Sequence, residues 1–196
     1  MIRRGHRRMR ALTTAAAIVG AALVAALIWT HMAAPGPWRL DPTDPRVSLD
    51  DVEREVAQRY PVPDILPAKL AGMLATGKVV LFDVRTAEEF AAGHLPGAIR
   101  IEPGMGADEF LNLHSGRLAG PPVVFYCAVG VRSSQMMMRT LERIAPHAGG
   151  GIYNLRGGIF RWTSGGRALV KGDAPGQAHP FDENWGPLLR RSAAGP

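Results

Sequence analysis

The sequence VVFYCAVGVRSS occupies residues 123–134 and contains the single cysteine of the chain, Cys127. The apolar residues before the cysteine are of the kinds that β-strands favour, and the residues after Arg132 have the apolar spacing of a helix. This order predicts a strand, a tight loop and the first turn of a helix. The thiol then lies at the carboxyl edge of a parallel sheet, where open α/β sheets bind their ligands.

The loop after Cys127 has the features of an anion-binding site. The N–H groups of a curved loop and the positive end of the following helix both favour negative charge. Gly130 permits unusual backbone angles, and Arg132 adds a permanent positive charge. Because the thiolate is the nucleophile, these features favour a reactive cysteine, although a lone cysteine is often a buried, inert residue.

Other polar residues near the loop are expected to have structural roles. Ser133 and Ser134 have side chains of the kind that cap helices. His94 and His114 are candidate general bases, but we expect His94 to brace the turn that follows it and His114 to lie on the surface.

The positive charge of the chain is concentrated at its amino terminus. The formal net charge is +6, from 23 basic and 17 acidic residues, and five of the basic residues are arginines within residues 1–10. Without those five, 18 basic residues face 17 acidic ones, which argues against a nucleic-acid-binding face. A single cysteine excludes an internal disulfide and a zinc site of several thiolates. We predict no cofactor and no metal.

Residues 11–29 carry no charge and predict a transmembrane anchor. As a helix they would span roughly 28 Å, close to the ~30 Å hydrocarbon thickness. The basic segment 1–10 would stay in the cytoplasm, which places the rest of the chain in the periplasm of a bacterial inner-membrane, single-pass protein. The alternative is a signal peptide that is cleaved to release a periplasmic protein.

The remaining chain divides into three parts. Residues 30–63 predict a proline-rich linker and a short helix capped by Ser48, residues 64–170 an α/β domain, and residues 171–196 a tail whose end is frayed from 190. Within the domain, strands and helices alternate, which predicts three layers with a mainly parallel central sheet. The predicted strands are 79–84, 98–101, 123–127 and 151–155, and the predicted helices are 68–75, 86–93, 107–113, 132–144 and 159–162.

Three motifs in this order resemble those of the rhodanese family. The first is DVR at 83–85 with EEF at 88–90 and GHLPGAI at 93–99; the second is CAVGVRS at 127–133; the third is GGIF followed by Trp162 at 157–162. The similarity covers about residues 64–170. It implies a rhodanese-like domain and a sulfurtransferase activity.

The resemblance also implies residue roles. Cys127 would accept sulfane sulfur from a donor such as thiosulfate, become a persulfide, and pass the sulfur to cyanide, a thiol or a protein. Asp83 and Arg85 would brace the loop, and no general base is required. The substrate-binding set would comprise Ala128, Val129, Gly130, Val131, Arg132 and Ser133.

The length of the loop bears on the alternatives. Four residues separate Cys127 from Arg132, whereas related dual-specificity phosphatases have one more residue there. A sulfurtransferase is therefore favoured over a phosphatase or arsenate reductase. A non-catalytic binding module at the membrane is a further alternative, since the loop residues Ala128, Val129 and Val131 are apolar.

Overall fold

A five-stranded parallel sheet forms the centre of the fold. The computed structural model describes residues 38–194. The strand order is β1-β5-β4-β2-β3, and every pairing between neighbours in this sheet is parallel. All four residues of β4 are buried, as expected for a central strand covered on both faces. The predicted α/β fold with a mainly parallel sheet is confirmed. The strands are β1 Asp64–Ile65, β2 Val80–Asp83, β3 Ile99–Arg100, β4 Val123–Tyr126 and β5 Ile152–Leu155.

Helices connect and flank these strands. Two of them begin with a capping box. The side chain of Ser48 or Thr86 accepts a hydrogen bond from the N–H of the residue three positions later, and the carboxylate of that residue accepts one from the Ser48 or Thr86 N–H. Each element predicted between residues 48 and 162 has a counterpart whose ends differ by at most two residues. The helices are α1 Leu49–Arg59, α2 Pro67–Ala75, α3 Ala87–Ala92, α4 Ala107–His114, α5 Val131–Ile144, α6 Gly158–Ser164 and α7 Gly186–Ala193.

The carboxyl-terminal part of the chain has regular secondary structure as far as residue 193, whereas the sequence predicted a frayed end from residue 190. Strands β6 Leu169–Lys171 and β7 Ala174–Gly176 form an antiparallel ribbon, and α7 continues to Ala193. Leu188 on α7 is buried, and the Arg191 guanidinium donates hydrogen bonds of 3.0–3.1 Å to three backbone carbonyls of residues 42–47. These contacts hold α7 against the segment that precedes α1.

His114 is not a simple surface residue. Its ring centroid lies 5.0 Å from that of Phe82 and 5.1 Å from that of Phe110, so the imidazole packs on the aromatic core. Burial, with the charge of Arg117, lowers the pKa of His114 below its ordinary value. The reason for the difference is that α4 turns its last residue toward the sheet, which the sequence pattern did not indicate.

The predicted transmembrane segment 11–29 lies outside the described residues. Within residues 38–194, no helix has both the length and the apolar composition needed to cross a membrane.

Candidate active site

Cys127 follows directly after β4 and is 1% exposed. The loop then turns back toward it, so that the Gly130 N–H donates a hydrogen bond of 3.2 Å to Sγ. Gly130 has φ +100°, and a Cβ at this position would lie 3.2 Å from the side-chain amide nitrogen of Asn154. Glycine is therefore favoured here both by its backbone angles and by the space around it.

Helix α5 begins one residue after that turn. Gly130 is its N-cap and offers no side-chain cap. The expectation that Ser133 and Ser134 cap the helix is therefore wrong: both lie inside the first turn and are buried. The helix starts earlier because the left-handed Gly130 itself makes the transition from loop to helix.

Ser133 instead belongs to a chain of hydrogen bonds that ends at the sulfur. The Asp64 carboxylate accepts from Asn154 Nδ2 at 2.9 Å, which turns Asn154 Oδ1 toward Ser133. Ser133 Oγ donates to that oxygen at 2.6 Å and lies 3.6 Å from Cys127 Sγ. The Ser133 hydroxyl has one proton. While that proton is donated to Asn154, the hydroxyl presents a lone pair to the Cys127 thiol; if the cysteine is a thiolate, the hydroxyl can rotate and donate to it instead.

Arg132 is held beside the sulfur by a buried carboxylate. Its guanidinium donates to both Glu89 oxygens, at 2.6 and 2.7 Å, and the Glu89 side chain is only 2% exposed. Burial opposes the charge of Arg132, but its hydrogen bond to Glu89 and the nearby Cys127 sulfur hold the pKa of Arg132 above its ordinary value. Burial alone would raise the pKa of Glu89, but the hydrogen bonds and charge of Arg132, together with the Thr86 N–H and the charge of Arg85, outweigh it, so that this pKa lies below its ordinary value.

The glycine pair at the start of α6 packs directly beneath the cysteine loop. The N–H of Ile159 donates to Cys127 O at 2.9 Å, and that of Phe160 donates to Ala128 O at 3.0 Å. Gly158 has φ +54°, and a Cβ there would lie 2.5 Å from Ala128 O and closer still to Cys127 O. The third sequence motif is thus coupled to the second by backbone contacts that only glycine permits.

Asp83 and Arg85 form a fully buried ion pair at the carboxyl end of β2, beside β4. Arg85 donates to both Asp83 oxygens, at 2.7–3.1 Å, and to the Gly93 carbonyl at 2.8 Å. Burial opposes the charge of Arg85, but the Asp83 carboxylate holds the pKa of Arg85 above its ordinary value. The pair joins β2 to the end of α3 and lies next to the strand that carries Cys127.

The other predicted site residues are placed as follows. Ala128 and Val129 are nearly fully buried in the loop, and Val131 begins α5 half-buried. His94 stacks on Phe90 at 3.7 Å between ring centroids, and its Nδ1 lies 2.9 Å from the Phe90 carbonyl oxygen, so these contacts join the imidazole to helix α3, which precedes it, and not to the turn that follows.

Three further residues at the site were not predicted from the sequence: Glu89, Asn154 and Phe181. Asn154 gives the one usable signal, since a polar residue inside an otherwise apolar buried strand requires a hydrogen-bonding partner. Glu89 and Phe181 both contact Arg132, and such contacts between distant segments leave no mark in local sequence patterns.

The arrangement places a cysteine sulfur, a potential nucleophile, beside groups that can stabilise negative charge. Gly130 N–H and Ser133 Oγ contact the sulfur, and Arg132 interacts with it electrostatically. In the part of the chain that is described, no group of three or more His, Cys, Asp or Glu side chains is placed to hold a metal ion.

Comparison with known proteins finds relatives with two kinds of name. A helix-turn-helix-type transcriptional regulator of Mycobacterium tuberculosis is 34% identical over 57% of this chain, and the match spans 46% of the regulator, about half its length. A human thiosulfate:glutathione sulfurtransferase is 36% identical over 37% of this chain and 72% of its own length. A sulfurtransferase of Allochromatium vinosum is 32% identical over 48% of this chain and 81% of its own length.

The family model described as the rhodanese-like domain matches residues 66–165, a range that holds the cysteine loop, the Asp83–Arg85 pair and the glycines beneath the loop. This match covers half of the chain. The protein therefore belongs to the rhodanese-like domain family.

Proposed function

We propose that the protein is a sulfurtransferase that carries sulfane sulfur as a persulfide on Cys127. The observation that carries this proposal is the Sγ environment: the Gly130 N–H and the Ser133 hydroxyl contact the sulfur, and the charge of Arg132 interacts with it electrostatically. Hydrogen bonds and positive charge stabilise a thiolate, which is the reactive form of cysteine. The same hydrogen-bond donors and charge would stabilise the persulfide anion that forms after sulfur is accepted.

The proposed reaction has two steps. In the first, the Cys127 thiolate attacks the outer sulfur of thiosulfate; the S–S bond of the donor breaks, sulfite leaves with the electron pair, and Cys127 holds a persulfide anion. In the second, an acceptor such as cyanide attacks the terminal sulfur, and thiocyanate and the thiolate are formed. The charges balance in both steps, and neither needs a proton transfer.

Thiosulfate as donor and a thiol as acceptor are supported by the names of the relatives. The human relative is named for thiosulfate and glutathione, and the bacterial one is named a sulfurtransferase. Since Cys127 is the only cysteine of the chain, the persulfide cannot be resolved by an internal disulfide, and the acceptor must come from outside.

The phosphatase alternative is less well supported by the loop. Four residues lie between Cys127 and Arg132, and the Gly130 N–H already closes onto Sγ at 3.2 Å. A phosphoryl group is larger than a single sulfur atom and would need the loop to open.

Intact-mass analysis of the purified full chain tests the proposal. After incubation with thiosulfate, we expect the mass to rise by one sulfur atom, and cyanide should remove it as thiocyanate. Cys127→Ser should gain nothing. If the wild-type chain takes up no sulfur, or if the serine variant takes up as much, the persulfide mechanism is wrong; hydrolysis of an aryl phosphate would support the phosphatase instead.

We further propose that segment 11–29 anchors the protein in the bacterial inner membrane, with the rhodanese-like domain in the periplasm. The support is the uncharged segment and the arginines before it. A carboxyl-terminal reporter that is active only after export should be active, and the full-length chain should resist extraction by alkaline carbonate. A soluble, shortened periplasmic form would instead indicate signal-peptide cleavage.

A further inference from the structure

The carboxyl-terminal segment 177–185, called the strap below, crosses the arginine of the active site. At its start, the Gln177 N–H donates to the Ala92 carbonyl at 3.1 Å. In its middle, the ring centroid of Phe181 lies 4.4 Å from the guanidinium carbon of Arg132. At its end the chain enters α7, which Arg191 holds to the carbonyls of residues 42–47. The strap is therefore fastened on both sides of Phe181.

The backbone of the strap is strained at the residue that covers Arg132. Within residues 38–194, Phe181 is the only non-glycine residue with a positive φ, +76°. A bulky residue rarely adopts this conformation, and such strain persists only where neighbouring contacts enforce it. The Phe181 N–H donates to His179 Nδ1 at 3.1 Å, and the Asp182 carboxylate accepts from the N–H groups of Asn184 and Trp185.

Core packing does not account for the position of the Phe181 ring, since the residue is 44% exposed. The ring covers the Arg132 guanidinium, whose two terminal nitrogens bind Glu89. With the carboxylate in its plane and the ring above it, the guanidinium has little freedom to rotate. The negative face of an aromatic ring also attracts a cation directly.

We infer that Phe181 is a positioning residue, which holds the Arg132 guanidinium in the orientation that receives an anionic sulfur donor at Cys127. The inference rests on the proposed function, because it adds a donor-selecting part to the same site. It assigns this role to a segment beyond residues 66–165, the region that the family model matches.

Selective alkylation of Cys127 tests this inference without any sulfur transfer. Iodoacetate is an anion and iodoacetamide is its neutral counterpart, so the ratio of their rates reports how well the site attracts negative charge. With one cysteine in the chain, both reagents report on Cys127. We expect Phe181→Leu to lower the ratio by about threefold to tenfold, the range that a lost cation–π contact supports.

Two variants serve as comparisons for the full-length protein. Phe181→Tyr keeps an aromatic face over Arg132 and should retain most of the iodoacetate-to-iodoacetamide rate ratio. Phe181→Leu keeps a Cβ and therefore the same backbone strain, so its effect reports the loss of the ring alone. Leu113→Ala removes a side chain of similar size that is 61% exposed and outside the site, and it should leave the ratio unchanged. If Phe181→Leu gives the wild-type ratio, or if Phe181→Tyr falls as far as Phe181→Leu, the inference is wrong.

Steady-state kinetics give the second readout. We expect Phe181→Leu to raise the KM for thiosulfate by about threefold to tenfold with kcat within about twofold of wild type, since the ring acts on binding of the anion. A fall in kcat with KM unchanged would contradict a positioning role. Failure of the proposed function can be distinguished from failure of this inference. A wild-type chain that takes up no sulfur refutes the persulfide mechanism, whereas the alkylation ratio decides the role of Phe181 whether or not sulfur is taken up.

Discussion

Replacing Gly158 by alanine should destabilise the active-site loop and the fold together. Gly158 has φ +54°, and a Cβ there would lie 2.5 Å from Ala128 O and closer still to Cys127 O. These oxygens are backbone atoms, so they cannot swing away as the end of a flexible side chain would. Both also accept hydrogen bonds from α6, which would have to lengthen if the loop moved.

The magnitude follows from two separate costs. A left-handed backbone costs a residue with a Cβ about 1–2 kcal/mol. Forcing an extra carbon into a packed site costs about 1–3 kcal/mol more. Gly172→Ala is the matched control, because Gly172 has nearly the same φ, +57°, and nothing within 4 Å of the added Cβ. Gly158→Ala should therefore lose about 2–5 kcal/mol and the control only the first part.

Urea denaturation of the full chain, with every variant in the same mild detergent, measures the difference. The signal is tryptophan fluorescence, to which the buried Trp162 on α6 contributes. With an m-value of about 2 kcal/mol/M, the midpoint of Gly158→Ala should fall by roughly 1–2.5 M relative to the wild type. Folded Gly158→Ala should also form the Cys127 persulfide more slowly than the control. Equal midpoints for the two variants would refute the contact between α6 and the loop.

Three other changes test separate parts of the site. Asn154→Ala should cost about 1–3 kcal/mol in urea denaturation, because it leaves the buried Ser133 hydroxyl and one oxygen of the half-buried Asp64 without their partner. An unchanged stability would contradict the proposed chain of hydrogen bonds to the sulfur. Glu89 has a pKa below its ordinary value in the folded state, so the unfolded state binds more protons as the pH falls below about 4.5 and stability is lost there. Glu89→Gln should lose less stability as the pH falls. Denaturation midpoints measured from pH 6 to pH 3 report this loss, and parallel curves for the variant and the wild type would show that the ion pair with Arg132 contributes nothing. Gly93→Ala adds a Cβ 2.5 Å from the Gln177 nitrogen, and the extended φ of residue 93 accepts alanine without strain, so the variant should detach the strap from α3. Proteolysis within residues 177–185 should then become faster, and an unchanged cleavage rate would contradict this contact.

The elements around the site were predictable because each has a local signal. The continuous apolar run of β4 indicates a strand buried on both faces, and Ser48 and Thr86 mark helix starts through their capping boxes. The strand β1 has only two residues, too few for any periodicity, so it was missed. In α7 a signal was present, since Pro187 lies in the first turn where proline is favoured, but the surrounding glycines and prolines obscured it.

The composition of the site was less predictable than its position. The cysteine loop and Arg132 are contiguous in sequence, so one stretch indicated both. The partners that orient them come from elsewhere: Glu89 lies on α3 and Asn154 on β5. Their distance from Arg132 and Ser133 along the chain is 43 and 21 residues, and only the folded sheet brings them together.

Two of the residues that orient the site lie outside the family-matched region. The match spans residues 66–165 and includes Cys127, Gly130 and Arg132. Asp64, which orients Asn154 and through it Ser133, precedes the match, and Phe181, which covers Arg132, follows it. Cys127 and its loop thus lie within the matched domain, whereas two of the contacts that orient Ser133 and Arg132 come from the flanks. If the protein is the proposed sulfurtransferase, changes to these flanks that leave the matched domain intact should alter its affinity for the sulfur donor more than the reaction at Cys127.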